Sequence, residues 1–345
     1  MKKHLQTPTI PFLPNSSKST AQILNEMLGI SFQGRSLGIA FDIWKRMLQD
    51  EVVIWFGLSG AMVPAGMRSL VVFLIENRMI DVLVSTGANL FHDAHETLGR
   101  HHFIGTPNIS DTELRQEMVD RMYDTYADEE EFRLLDEYFG DWAMNTLDPK
   151  RGYSTREMFS LWGKHLATKQ KTEGIVTAAY KHGVPVYCPS FADSSYGIAL
   201  AGAVHRLKKS VQIDVVSDTL ETARLFGRSK QSGVIYIGGG VPKNFTNQSA
   251  VTADILFDDA PDGHKYAIQI TADAPHWGGL SGCTFSEAES WGKINQQART
   301  VAVYADATLC LPFLTVGLAQ EGMEFARTRK KPQFTFDPEV KVEYM

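Results

Sequence analysis

The chain has 345 residues, of which 43% are hydrophobic, 10% aromatic and 21% charged; this is the composition of a folded globular protein and excludes a disordered or fibrous one. Its 34 Lys and Arg against 40 Asp and Glu give a formal net charge of −6, without the basic footprint that phosphate backbones select, so nucleic acid is not expected as a partner. Three widely spaced cysteines, Cys188, Cys283 and Cys310, form no CxxC pair, which argues against a disulfide framework or a zinc ribbon and fits a reducing cytoplasm.

Residues 1–18 read as an extended arm carrying Pro8, Pro11 and Pro14, with no basic-then-apolar leader pattern. Ser19 and Thr20 then precede Ile23, Leu24, Met27 and Leu28 at helical spacing, and Ile39 to Leu48 repeats that spacing after a glycine-containing loop at Gly29 to Gly38. An N-terminal helical segment is expected. The longest uncharged stretch, Val52 to Met67, holds Ser, Pro and Gly and falls short of the ~20 apolar residues of a membrane span. It reads as buried core, and no membrane association is expected.

From there one theme recurs: a short apolar, β-branched run ends in small or acidic residues and a helical pattern usually follows. The runs are Val52 to Phe56, Asp81 to Val84, Val184 to Cys188, Val234 to Ile237, Tyr266 to Ile270 and Thr300 to Tyr304. Runs without strict alternation fit strands buried on both faces of a largely parallel sheet flanked by helices, an α/β fold. In such sheets ligands bind at the carboxyl ends of the strands, so the small and acidic residues there mark the expected site. Between Asp111 and Thr155, acidic residues alternate with Met, Tyr, Phe, Leu and Trp, which predicts amphipathic helices with an acidic outer face. No linker or repeat divides the chain, so a single domain is expected over 19–325, followed by a tail at 326–345.

Four groups of residues carry candidate chemistry. Gly238-Gly239-Gly240 ends an apolar strand and lets backbone N–H groups approach an anion such as a nucleotide pyrophosphate, although glycine-rich turns are common and this one is not GxGxxG. Asp193, Asp273 and Asp306 follow expected strands; each reads first as a helix cap and second as an acceptor for ribose hydroxyls. Lys293, two residues after Trp291, reads either as a side chain snorkelling to water or as a partly desolvated amine suited to imine chemistry. His92, Asp93, His95, His101 and His102 invite a metal reading, but no further ligand stands at diagnostic spacing and no metal is expected, which leaves His92 and Asp93 as candidates to touch a substrate. The absence of G-x-S-x-G, P-loop and HExxH motifs removes the usual support for serine hydrolases, P-loop NTPases and zincins.

Three matches at these positions, the third joining three strings, resemble the deoxyhypusine synthase family. They are Asn77-Arg78-Met79-Ile80-Asp81-Val82-Leu83-Val84-Ser85-Thr86; Val184-Pro185-Val186-Tyr187-Cys188-Pro189-Ser190-Phe191-Ala192-Asp193; and Ile237-Gly238-Gly239-Gly240-Val241 together with Glu287-Ala288-Glu289-Ser290-Trp291-Gly292-Lys293-Ile294 and Val303-Tyr304-Ala305-Asp306-Ala307. The similarity runs from about Gln22 to Leu314. The resemblance implies a Rossmann-like subunit in a homotetramer, with NAD bound between paired subunits. It further implies that the aminobutyl group of spermidine passes through an imine on a lysine to an acceptor amine. Lys293 stands at the family's catalytic lysine, with Trp291 and Glu287 at neighbouring substrate positions. Thr86, Gly87, Asp193, Gly239, Gly240, Thr271, Ala272, Ser281, Asp306 and Ala307 match positions that line the family's NAD site.

The chain also departs from the family's pattern. Asn244 stands where best-known members have a histidine after the triple glycine, and Ile198 and Leu280 replace two acids that pair with spermidine amines. His92 replaces a glutamate at the cofactor edge and Trp277 an aspartate. Unpaired ammonium groups in a closed pocket are costly, so these changes bear on which amine is bound. The acceptor implied is either a lysine on the hypusine-containing translation factor or a small amine such as putrescine, which would give homospermidine. An NAD-dependent amine dehydrogenase and a catalytically silent NAD-binding protein are the alternatives.

Overall fold

The computed structural model describes residues 6–345, so the first five residues of the expected arm lie outside it. Residues 6–18 form no helix or strand, and Ile10 N donates to Gly29 O at 2.8 Å. Ser19 then closes a capping box with Gln22 and starts α1 (Thr20–Glu26). Helix α2 (Phe32–Gln49) begins seven residues before the expected Ile39, so most of the anticipated loop at Gly29 to Gly38 is helical. The glycine that suggested a loop has a packing role: a Cβ on Gly38 would lie 2.8 Å from Leu24 O, where α1 and α2 cross closely.

The six apolar runs form one parallel sheet: β1 (Val53–Leu58), β2 (Val82–Ser85), β3 (Val186–Tyr187), β4 (Ser232–Ile237), β5 (His264–Thr271) and β6 (Ile294–Tyr304). Their spatial order is β3-β2-β1-β4-β5-β6, the doubly wound Rossmann-like arrangement in which strand order reverses between β1 and β4. Every residue of β1 and β4 is buried. Alternate side chains enter separate cores, Ile54, Phe56 and Ile235 on one face and Val53, Trp55, Val234 and Tyr236 on the other. Burial on both faces is why these strands lack polar alternation.

Helix α3 (Arg68–Glu76) joins β1 to β2, and α4 (Gly87–Thr97) leaves β2 with Thr86 as its N-cap. The acidic region holds more than the expected helices. Val119–Met122 and Thr125–Asp128 pair as an antiparallel hairpin, with Met118 (φ 57°) and Tyr123 (φ 54°) left-handed where the chain turns. Helix α5 (Glu129–Thr146) follows, capped by Asp128. Further on lie α6 (Ile175–His182), α7 (Ser195–Leu207), α8 (Gly240–Leu256), α9 (Phe285–Glu289) and α10 (Ala307–Glu321).

The segment expected as a tail, 326–345, contains an antiparallel hairpin of Pro332–Thr335 with Lys341–Tyr344. It is anchored by charge: the buried Asp81 carboxylate accepts from Arg329 Nη2 at 2.6 Å, Arg78 Nη2 at 3.1 Å and Ile54 N at 2.9 Å. Arg78 also donates to Pro332 O at 2.7 Å. The Asn77-to-Asp81 string thus ties the hairpin to the sheet. No helix among the described residues is long and apolar enough to cross a membrane.

Candidate active site

Reversal of strand order leaves a crevice above the carboxyl ends of β1 and β4. A cavity of about 540 Å³ lies there, lined among others by Ser59, Thr86, Gly87, Asp193, Gly238 to Gly240, Ser281 and Ala307, within the size range of small-molecule sites. The glycine turn is left-handed at Gly238 (φ 76°) and Gly240 (φ 53°), so glycine is required for the turn itself. Ser59 Oγ donates to Gly239 O, and Gly240 N donates to Ser281 Oγ at 3.0 Å. The 17-residue α8 starts at this turn and directs its positive end towards the cavity. Buried Asn89 positions the opposite rim, accepting from Met62 N and Val63 N and donating to Thr86 Oγ1 at 3.0 Å.

A second cavity of about 170 Å³ is lined by Lys243, Asn244, Asn247, Pro275, Gly278, Gly279, Leu280, Cys283, Glu287, Trp291 and Lys293. The two cavities share a wall. The chain passes from lining the first at Gly238–Pro242 to lining the second at Lys243–Asn247, and Ser281 borders the first while Leu280 and Cys283 border the second.

Lys293 reaches this pocket by an unexpected route. It immediately precedes β6, whose first residue Ile294 pairs with His264, the first residue of β5. The lysine therefore comes from the amino end of β6, and not from the carboxyl rim. Thr284 caps α9, Gly292 (φ 68°) reverses the chain beyond it, and Lys293 N donates to Ala288 O at 3.1 Å. Lys293 is buried, 9% exposed, and its Nζ lies 5.3 Å from the centre of the Trp291 ring. Glu287 is the one carboxylate among the lining residues.

Lys243 also lines this pocket and belongs to none of the candidate groups in the sequence. Its Nζ, 2% exposed as a residue, donates to Gln269 Oε1 at 2.8 Å, to Ser281 O at 3.4 Å and to Cys283 O. Burial pushes the Lys243 amine down to about 8. It lies three residues after Gly240, a position the triple glycine could have drawn attention to.

Several expected residues stand away from both cavities. Thr271 is buried at the end of β5, where its hydroxyl accepts from Asp273 N at 3.1 Å, and neither it nor Ala272 lines a cavity. Asp306 caps α10, and hydrogen bonds from Thr308 hold its carboxyl below the ordinary range. His92 bonds His102 Nε2 through Nδ1 at 2.8 Å and packs on Phe132; burial pushes it down to about 3. His95 lies in the same cluster, pushed down by burial to about 4. Asp93 is a structural cap, accepting from Ile175 N, Val176 N and Arg68 Nε at the start of α6. Ile198 lies exposed on α7 outside both linings, whereas Leu280 faces the lysine pocket.

The deoxyhypusine synthase family model matches residues 22–318. The chain belongs to the deoxyhypusine synthase family. It is 47% identical over 333 residues to probable deoxyhypusine synthase 2 of Methanosarcina mazei, covering 96% of this chain and 94% of that one. It is 40% identical over 298 residues to a deoxyhypusine synthase-like protein of Elusimicrobium minutum, covering 85% and 78% respectively. A crystal structure described as a putative deoxyhypusine synthase from Entamoeba histolytica shares the fold, with a TM-score of 0.59 and 18% identity, covering 87% of this chain and 93% of that one. Family membership makes the protein a transferase of the aminobutyl-transfer class.

Proposed function

We propose that the protein transfers the aminobutyl group of spermidine to an acceptor amine, with Lys293 as the covalent carrier and NAD in the glycine-rimmed cavity. The observation that carries this reading is the placement of a buried lysine beside Trp291, one wall away from a cavity built from a glycine turn and a helix N-terminus. That cavity fits NAD: the side-chain-free turn at Gly238–Gly240 and the positive end of α8 suit a pyrophosphate, and Thr86 and Asp193 offer polar atoms at its rim. When bound, NAD would take a hydride from the donor amine and later return it. The residues of the chain do the rest. The Lys293 amine, after giving up a proton, would attack the oxidised carbon, diaminopropane would leave, and the acceptor amine would then displace Lys293. Trp291 would cover the alkyl chain, and Glu287 would pair with a substrate ammonium. Asn244, which lines the same pocket, would hydrogen-bond the same substrate.

Leu280 at the pocket wall and a single carboxylate suit a substrate that presents one ammonium there. Putrescine, giving homospermidine, meets that condition with the amine that does not react, whereas a lysine on a translation factor brings no second amine and leaves only the terminal ammonium of the aminobutyl group there. Val241 at the first cavity and Leu280 and Trp291 at the second are exposed apolar residues, suited to closure by a second subunit in a homotetramer. Three free thiols accord with a cytoplasmic location.

The deciding experiment incubates the purified protein with NAD and spermidine, alone and with putrescine or the translation factor, and identifies products by mass spectrometry. Diaminopropane release, with borohydride trapping an adduct on Lys293, is the expected result. Turnover without any adduct on Lys293 would favour an ordinary amine dehydrogenase. NAD binding without release in any mixture would favour a silent binding protein.

A further inference from the structure

The wall between the two cavities is held from one point. Lys243 Nζ reaches three oxygens, Gln269 Oε1, Ser281 O and Cys283 O. Three acceptors match the three N–H donors of an ammonium, so in this arrangement the nitrogen has no lone pair to offer as a nucleophile. Gln269 extends the grip: its Nε2 donates to Gly238 O at 2.9 Å and Ser281 O at 2.7 Å. Ser281 therefore sits between the glycine turn, which reaches its Oγ through Gly240 N, and the Lys243–Gln269 pair, which reaches its carbonyl. Gln269 projects from β5, where its neighbours Ile268 and Ile270 are core residues, and it is only 3% exposed. A buried amide on an apolar strand and a buried ammonium on the helix beside it are expensive unless each bond is made. Here their bonds converge on the turn at 280–283.

We infer that Lys243, together with Gln269, is a positioning residue: its ammonium clamps the 280–283 turn as the shared wall, fixing the cofactor cavity and the lysine pocket relative to each other. The kinetic part of this inference rests on the function proposed above; the structural part does not. Cys283, Glu287 and Lys293 are the ionisable groups that face Lys243. Glu287 favours its charge and Lys293 opposes it, and burial opposes it more strongly than either.

The test compares the full-length protein with Lys243→Met, Lys243→Arg and Gln269→Leu. Hydrogen–deuterium exchange of the ligand-free proteins reads the clamp directly. Lys243→Met and Gln269→Leu should each speed exchange at 279–284 by on the order of ten-fold or more, while β4 and β1 keep their protection. Lys243→Arg, which retains the charge, should restore part of that protection. With NAD and spermidine, Lys243→Met should lower kcat and raise the KM for both, because both sites share the wall. In the wild type, protection at 279–284, corrected for the base-catalysed rise in intrinsic exchange, should fall as pH passes above about 8, a fall that Lys243→Arg should lack. Unchanged exchange at 279–284 in both Lys243→Met and Gln269→Leu overturns the inference. A lost kcat with unchanged exchange and unchanged KM also overturns it, and would make Lys243 a direct participant in the chemistry. If Lys243→Met does not fold, Gln269→Leu carries the same comparison. If the wild type turns over no amine, the functional proposal fails and the exchange measurement still decides the clamp.

Discussion

Adding one methyl group at Gly239 tests whether the glycine turn and the Ser281 wall form one cavity. A Cβ there would lie 2.5 Å from Ser281 Cα, 2.7 Å from its Cβ and 2.8 Å from its Oγ. The first of these is backbone, which cannot swing aside, so the turn must retreat by roughly 1 Å to reach ordinary van der Waals separation. That retreat breaks the 3.0 Å bond from Gly240 N to Ser281 Oγ and loosens the Lys243 and Gln269 bonds to Ser281 O. Misplacement on this scale costs about 100-fold in turnover where reacting groups must be held in register. Gly239→Ala is therefore expected to lower diaminopropane release by about that factor and to weaken NAD binding measured by calorimetry, with circular dichroism unchanged. Gly202→Ala is the control: it lies in α7, where an added Cβ meets nothing within 4 Å, and it should be neutral or stabilising by about 0.5–1 kcal/mol. A Gly239→Ala protein with wild-type NAD affinity and turnover would refute the shared-wall reasoning.

Lys293→Arg keeps the positive charge but supplies no amine for an imine, so product release should fall by at least about 10³-fold while NAD still binds, as read by calorimetry. Leu280→Asp adds a carboxylate to the lysine pocket and should lower the KM for spermidine more than that for putrescine in steady-state assays. Arg329→Leu leaves the buried Asp81 carboxylate with Arg78 as its remaining cation and should cost about 3–5 kcal/mol in urea unfolding. The histidine cluster gives a pH dependence. Burial holds His92 at about 3 and His95 at about 4 in the folded chain, below the ordinary 6.5, so the unfolded chain binds more protons between these values. Stability should therefore be fully present above pH 6.5 and decline as pH falls towards 4, by on the order of 1–2 kcal/mol per imidazole at pH 5. His95→Gln should flatten that decline in urea midpoints measured from pH 7 to 5.

The sequence by itself determined the sheet. Six apolar runs are strands because a β-branched run with no polar alternation has to be covered on both faces, and all six pair in one parallel array. It also marked the glycine turn, and the lysine beside Trp291 together with its family, since these depend on residue types close together in the chain. Tertiary structure alone decided what distant residues do to one another. Gly38 reads as loop until α1 is seen crossing α2 at Leu24. Asp93 and His92 read as site residues until Arg68, His102 and Phe132 are seen to enclose them. Residues 326–345 read as a tail until Arg329 meets Asp81. Lys243 and Gln269 carry no local pattern because their role arises where α8, β5 and the 280–283 turn converge, and hydrogen bonds in a buried site depend on proximity in space and not on spacing in the chain.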